Sequence, residues 1–196
     1  MGEAEIADLA RLHAACLTDS LVTEMGPGYV RAFYRYVVDS PREFVVTSRD
    51  AAGRIVAATV ISLEPATFNR RLLLHTPLLP HLIVRLPALV GGWWRPTLPV
   101  DAGAISPLPK VPDTMPEMLL IFVAAEQRGA GRGRALVHEV DGDLRARGVP
   151  AYQARTELNL ANRALRFYDE NGFTRAGVSV RLGKPFQVFV RTLPNA

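Results

Sequence analysis

An apolar run, Met118-Leu119-Leu120-Ile121-Phe122-Val123, leads into the glycine-rich stretch Gly129-Ala130-Gly131-Arg132-Gly133-Arg134. Behind it, Leu136, Val140 and Leu144 recur at four-residue spacing. The pattern reads as strand, tight turn, helix. Glycine allows positive φ and a close approach of backbone to a ligand. A helix N-terminus offers unpaired N–H groups and a partial positive charge. Together they make a site for phosphate or pyrophosphate. Arg128, Arg132 and Arg134 add full charges, which points to a ligand carrying several phosphates.

Three loop types compete for that ligand. A nucleotide-triphosphate loop requires G-x-x-x-x-G-K-[ST], and the stretch has no Lys-Ser/Thr pair. A dinucleotide loop requires G-x-G-x-x-G tight against the strand. Five residues separate Val123 from Gly129, and Leu136 stands where the third glycine would fall. Glu157 lies at a workable distance for a ribose contact, so a nucleotide-dependent oxidoreductase stays open as an alternative. The third type is R-x-x-G-x-G, formed by Arg128, Gly131 and Gly133 behind Val123, Glu126 and Arg128-Gly129. It resembles the pyrophosphate loop of the GNAT-type N-acetyltransferases, which use acetyl-coenzyme A.

A second motif strengthens the resemblance. Asn162-Arg163-Ala164-Leu165-Arg166-Phe167-Tyr168-Asp169-Glu170-Asn171-Gly172-Phe173 is similar to the family's late helix, with its A-x-x-x-Y and closing G-F. Read physically, it is a short amphipathic helix with Ala164, Leu165, Phe167 and Tyr168 on the apolar side, ended by a left-handed cap at Asn171-Gly172. A strand-like segment, residues 149–154, lies between the two motifs. The family usually carries an Asn three residues before the alanine. Here that position is Ala161, flanked by Asn159 and Asn162. The resemblance covers roughly residues 4–64 and 117–192. It implies an α/β acyl-CoA N-acyltransferase (GNAT) fold, a central mixed, twisted sheet with helices on both faces. It further implies that Arg128, Gly129, Ala130, Gly131, Arg132, Gly133 and Arg134 hold the cofactor, with Asn162 contributing from the late helix.

Ahead of the loop, residues 4–17 read as a helix with Ile6, Leu9, Ala10, Leu12 and Ala14 mostly on one side. Residues 28–39 read as a second, in which Tyr29, Val30, Phe33, Tyr34 and Val37 form a core-facing stripe and Pro41 stops the helix. Phe44 to Ser48, the turn Asp50-Ala51-Ala52-Gly53, and Arg54 to Leu63 read as an antiparallel hairpin. Residues 65–112 differ. Ten of the chain's 15 prolines fall between Pro65 and Pro116, and no acidic residue occurs from Pro65 to Val100. Prolines leave room only for short helical pieces. A pair of short helices capping the sheet accounts for the leucines. An acceptor-binding lid with Trp93 or Trp94 near its opening, or a contact surface for a second subunit or an anionic membrane face, accounts equally for the basic, aromatic character.

At 196 residues and 48% hydrophobic content, the chain suits a single domain spanning residues 1–196. The acidic start (Glu3, Glu5, Asp8) is unlike a secretion signal, and no run of eighteen apolar residues exists, so a cytoplasmic protein is expected. One cysteine, Cys16, excludes an internal disulfide and a CxxC metal site, and reads as a small buried apolar residue. The histidines at 13, 75, 81 and 138 lack metal-ligand spacing, so no metal is expected. A net charge of +4 is mild and calls for no nucleic-acid partner.

The implied activity is acetyl transfer from acetyl-coenzyme A to a primary amine of a small molecule or peptide. An alkylammonium has a pKa near 10.4, so about one molecule in two thousand is nucleophilic at pH 7. A general base answers that need. The tetrahedral oxyanion needs N–H donors and the departing thiolate a proton. By resemblance, the oxyanion donors map to Ile121, Phe122 and Val123, on a strand that a bulge splays. The acid maps to Tyr168. The base maps to Glu117, six residues before the strand's end, with Glu24 and Glu157 as rivals. A regulatory or membrane-associated module that binds acyl-coenzyme A without catalysis is the non-enzymatic alternative.

Overall fold

The computed structural model describes residues 1–18, 20–75, 111–159, 161–181 and 183–194. Trp93, Trp94 and the central part of the insert lie outside the described residues. The elements run α1 (Glu3–Cys16), α2 (Leu21–Glu24), α3 (Pro27–Asp39), β1 (Glu43–Arg49), β2 (Ile55–Ser62), α4 (Pro65–Leu74), β3 (Glu117–Val123), α5 (Arg132–Ala146), β4 (Ala151–Glu157), α6 (Arg163–Glu170), β5 (Thr174–Arg181) and β6 (Lys184–Thr192). The two expected N-terminal helices, the hairpin and the strand–loop–helix unit all form. The strand expected at 149–154 begins two residues later and extends to Glu157. The first piece of the insert is a helix, α4, with Pro65 in its first turn, where a missing N–H costs nothing.

Six strands form one sheet in the order β1-β2-β3-β4-β6-β5. The β3–β4 pair is parallel and its neighbours are antiparallel, so the sheet is mixed. Two features of β3 matter for function. First, Val60 faces Leu120 while Ile61 faces Met118, so Leu119 is an extra residue, a bulge that bends the strand. Second, β3 pairs with β4 only at Glu117–Gln153 and Met118–Ala154. Beyond Met118 the two strands part.

One core lies between α1, α3 and α4 and one face of β2 and β3. It contains the whole predicted aromatic stripe, Tyr29, Val30, Phe33, Tyr34 and Val37. Phe68 and Leu72 bring α4 into it. Arg71 also ties α4 to the sheet, pairing with the buried Glu43, which accepts from Ser62 Oγ at 3.0 Å. The second core packs Leu136, Val137, Val140 and Leu144 of α5 and Leu165 and Tyr168 of α6 on the opposite face. There Asp141, 1% exposed, accepts from Tyr152 Oη at 3.0 Å and from Arg191 Nε at 2.8 Å and Nη2 at 2.6 Å. Arg191 also donates to the carbonyl of Asn171, at the end of α6. This one guanidinium therefore joins α5, β6 and the α6 C-cap. Gly172 leaves it room: a Cβ there would stand 2.7 Å from Arg191 Nη1.

His13 is a core residue that the apolar pattern of α1 did not mark. It is fully buried among Phe33, Tyr34 and Phe122. Tyr34 Oη lies 2.7 Å from its Nδ1 and Ser20 Oγ 3.1 Å from its Nε2. Ser20 Oγ donates onward to Thr23, which leaves it to accept from Nε2–H, while Nδ1 accepts from Tyr34. The ring is thus satisfied as neutral imidazole, and burial pushes its pKa down to about 4. An unfolded histidine takes a proton near pH 6.5. The contribution of neutral His13 is therefore complete above about pH 6.5 and is lost as pH falls toward 4, by about 3 kcal/mol. Urea unfolding of the wild type and His13→Gln at pH 7 and pH 4.5 should show the wild type losing about 2 kcal/mol relative to the variant. An unchanged difference would mean that His13 takes up its proton in the native state.

Candidate active site

The site is assembled where β3 ends, where the glycine loop turns and where α6 faces both. A short 3-10 turn, Ala125–Gln127, follows β3. Gly129 and Gly131 then take φ of 81° and 76°. Gly131 caps α5 in the left-handed conformation, and the first return bond of the helix runs from Ala135 N to Gly131 O at 3.0 Å. The amides of Arg132, Gly133 and Arg134 therefore lack intrahelical acceptors and point out of the N-terminus. Gly133 is needed for a different reason. A Cβ there would meet the Phe167 ring at 2.8 Å, so α5 and α6 pack closely only because this position is bare.

A cleft of about 490 Å³ opens along this loop, from Val123 past Arg128, Gly129 and Gly131–Arg134 to the Arg163–Asn171 side of α6. Ile121, Phe122, Ala130 and Asn162 do not line it. The arginines in the wall differ in how far they are committed. Arg128 Nε donates to the Val123 carbonyl at 3.1 Å, holding the loop against the strand end. Arg132 Nη1 reaches Ser48 Oγ at 3.1 Å and the Arg49 carbonyl at 3.2 Å, tying the start of α5 to β1. Arg166 pairs with Glu170. Arg134 and Arg163 have no hydrogen-bonded or ionic partner among the described residues. Arg163, Arg166 and Phe167 are wall residues that sequence reasoning missed. The signal was there, two arginines three apart on the polar side of an amphipathic helix, but the motif drew attention to the apolar side.

The register of β3 sorts the expected amide donors. Ala124 N donates to Val56 O at 2.8 Å, and antiparallel pairing alternates. Phe122 and Leu120 therefore direct their N–H groups at β2, whereas Ile121 and Val123 direct theirs to the side from which β4 has departed. Of the trio expected to supply amides, Phe122 turns away. Its side chain instead packs in the first core against His13. The Val123 carbonyl also accepts from Cys16 Sγ at 3.4 Å. Cys16 is half-buried rather than buried, and burial raises its pKa against the opposing pull of Arg128.

Asn162 caps α6. Its side chain accepts from Ala164 N at 3.0 Å, and its Nδ2 donates to Thr156 Oγ1 at 2.8 Å and Glu157 O at 2.7 Å. Both amide donors are spent, so any ligand contact is confined to the remaining capacity of Oδ1. Asn159 is exposed and accepts from Ala161 N at 3.0 Å.

Tyr168 and Glu117 are both buried, at 4% exposure each. Tyr168 sits among Phe167, Phe173 and Phe189. Burial and the charge of Glu117 hold its phenol well above its ordinary pKa. The two groups thus lie within electrostatic reach, on opposite faces of the sheet at the parting of β3 and β4. Glu117 Oε2 is 3.1 Å from Arg155 Nη1. Burial raises the Glu117 pKa, partly opposed by Arg155. Glu24 is exposed on α2, and Glu157 is bound to Lys184 at 3.4 Å.

Residues 100–175 match the family model of the acetyltransferase (GNAT) domain. The fold is that of the GNAT acetyltransferases. Solved structures agree on the fold. An acetyltransferase superposes with a TM-score of 0.63 at 15% identity, covering 98% of this chain and 97% of that one. The ribosomal-protein-S18-alanine N-acetyltransferase of Escherichia coli superposes at 0.59 with 11% identity, covering 100% and 92%. An aminoglycoside 6'-N-acetyltransferase complexed with coenzyme A gives 0.59 at 14% identity, covering 99% and 92%. No curated protein matches the chain. Among the described residues, no helix is long and apolar enough to cross a membrane, and no group of three or more His, Cys, Asp and Glu is placed to hold a metal ion.

Gly131 offers the sharpest test of the loop. Nothing lies within 4 Å of a Cβ built there, so a side chain does not collide with the protein. The left-handed φ, however, suits no β-branched residue and costs about 1–3 kcal/mol. Gly131→Val should stay folded, because the loop can move to relieve that strain. Acetyl-coenzyme A affinity should then fall by more than about tenfold in calorimetry. An unchanged dissociation constant would remove the loop from the site.

Proposed function

We propose that the protein transfers an acetyl group from acetyl-coenzyme A to a primary amine, by direct attack with Glu117 as base and Tyr168 as acid. The observation that carries this reading is the strand edge left open where β3 leaves β4, continuous at Val123 with the glycine loop and the cleft. The helix N-terminus and the two uncommitted arginines, Arg134 and Arg163, suit a pyrophosphate and a further phosphate. The thioester end then extends along β3, where the Ile121 and Val123 amides face the oxyanion.

The proton balance follows from the residues present. The amine nitrogen attacks the thioester carbon and loses a proton to Glu117. The carbon–sulfur bond breaks, and the thiolate receives the Tyr168 proton. Tyr168 is suited to this because its raised pKa keeps it protonated at neutral pH. Glu117 is suited because burial moves its pKa up from the usual carboxylate range, which makes it a stronger base. Activity should fall as pH drops through that raised value. We propose further that the whole chain acts as one domain.

Cofactor identity is read directly by thermal melting. Acetyl-coenzyme A should raise Tm, because a ligand of the native state alone stabilises it. NADH, NADPH and ATP should raise it much less. Stabilisation by a dinucleotide and not by coenzyme A would favour the oxidoreductase alternative.

Tyr168→Phe isolates the acid, since it keeps the ring in its aromatic cluster and removes only the hydroxyl. We expect kcat to drop on the order of 10²-fold with the acetyl-coenzyme A dissociation constant unchanged. Weakened binding with full turnover at saturation would make Tyr168 a packing residue.

A further inference from the structure

Arg155 stands on β4 one residue past the last β3–β4 pair. Its side chain is 9% exposed. Nη1 is bound to Glu117, and Nη2 donates to Gln153 Oε1 at 2.8 Å. Gln153 in turn donates to the Met115 carbonyl at 3.1 Å, which fixes the approach to β3. The Nε–H is buried and has no partner among the described residues. A buried guanidinium N–H left unpaired is expensive. An oxygen brought by a substrate would satisfy it.

Its placement says which oxygen. Ala154 belongs to the core under α5 and α6, so by strand alternation Arg155 faces the other side of the sheet, with Glu117 and Gln153. The first core draws no residue from β4, β5 or β6 on that side. Ser179 lies on the same side, and its Oγ is a second buried polar atom with no partner among the described residues. Nε and the Glu117 carboxylate belong to one hydrogen-bonded unit. A group bound at Nε therefore lies next to the amine that Glu117 deprotonates. The charge of Arg155 is already offset by Glu117 and, at 3.8 Å, by Asp113. A third carboxylate would be repelled by those two, whereas a neutral carbonyl would not.

Resting on the amine-acetylation reading above, we infer that Arg155 is a specificity-determining residue whose Nε–H receives a neutral carbonyl next to the acceptor amine, so that the acceptor is an α-amino amide. Free amino-acid amides and peptide N-termini share that chemistry.

Wild-type turnover, followed by thiol release from acetyl-coenzyme A, is compared for alaninamide, an Ala-Ala-Ala peptide amide, alanine and n-propylamine. Counted per free amine, alaninamide or the peptide should exceed propylamine and alanine in kcat/KM by at least about tenfold, the worth of a hydrogen bond to a charged donor. The better of these two identifies the source. Arg155→Lys keeps the charge and removes Nε–H. It should lower the alaninamide-to-propylamine ratio by at least about tenfold from the wild-type value, whereas a merely structural arginine would alter stability and leave the ratio. Propylamine turned over as well as alaninamide by the wild type overturns the inference alone, and so does a ratio untouched in a folded Arg155→Lys. If that variant does not fold, the wild-type ratio decides. Acetyl-coenzyme A binding without turnover of any amine overturns the acetyl-transfer reading and this inference with it.

Discussion

The parting of β3 from β4 is the constraint on which the rest of the site depends. Two residue pairs hold the parallel strands together, and then the ladder stops. A strand interior normally has no spare N–H groups, because its neighbours take them. Here the bulge at Leu119 bends β3 while it remains paired with β2, so one edge stays bonded and the other is released. The released amides are those of alternate residues, Ile121 and Val123. The opening is sustained from both sides. On one face, Phe122 rests on His13 at the end of α1. On the other, Tyr168 fills space beside Phe189 and Phe173.

An open edge is useful only if it stays open in one shape. The half that carries the cleft is held by the Asp141–Arg191 pair, which gathers α5, β4 and β6 through bonds of 2.6 to 3.0 Å, while Arg191 also donates to the end of α6. Breaking a buried pair by removing one partner typically costs about 3–5 kcal/mol, because the other charge is left behind. The close approach of α5 to α6 rests on the absence of a side chain at Gly133, and the room for Arg191 on its absence at Gly172. Of the glycines in this half, Gly129 and Gly131 serve the turn into α5 through positive φ, whereas Gly133 serves packing.

Much of this was legible in the sequence, for identifiable reasons. Periodicity marked α1, α3 and the first hairpin because those segments present one face to a core. The loop was legible because a turn that runs at positive φ from a strand into a helix demands glycines, here at 129 and 131. Burial of polar residues was not legible. His13 interrupts an apolar stripe, and only the distant partners Tyr34 and Ser20 explain it. Asp141 on α5 is satisfied by an arginine fifty residues away. Asn162 looked like a ligand contact because the family motif has an asparagine nearby. In the structure its donors close the helix end onto β4. Phe122 was grouped with its neighbours as an amide donor because a strand's pairing parity cannot be read before its register is known.

The proposed acid and base are not independent groups. Burial raises both pKa values, and the Glu117 anion raises that of Tyr168 further. Interaction between two titrating groups is reciprocal. While Glu117 is ionised it is ready to accept the amine proton, and its charge keeps Tyr168 from losing its own. Once Glu117 has taken that proton, the charge that held the phenol back is gone, and the Tyr168 pKa moves down toward the value set by burial alone. The phenol therefore becomes a better acid as the thiolate starts to leave, and a poorer one before the amine has been activated. Arg155 limits the effect from the other side. By pairing with Glu117 at 3.1 Å it favours the ionised form of the base, and by the same attraction it lessens the field that the carboxylate exerts on Tyr168. In the proposed mechanism, the order of proton transfers thus follows from which charges the parting strands leave near one another.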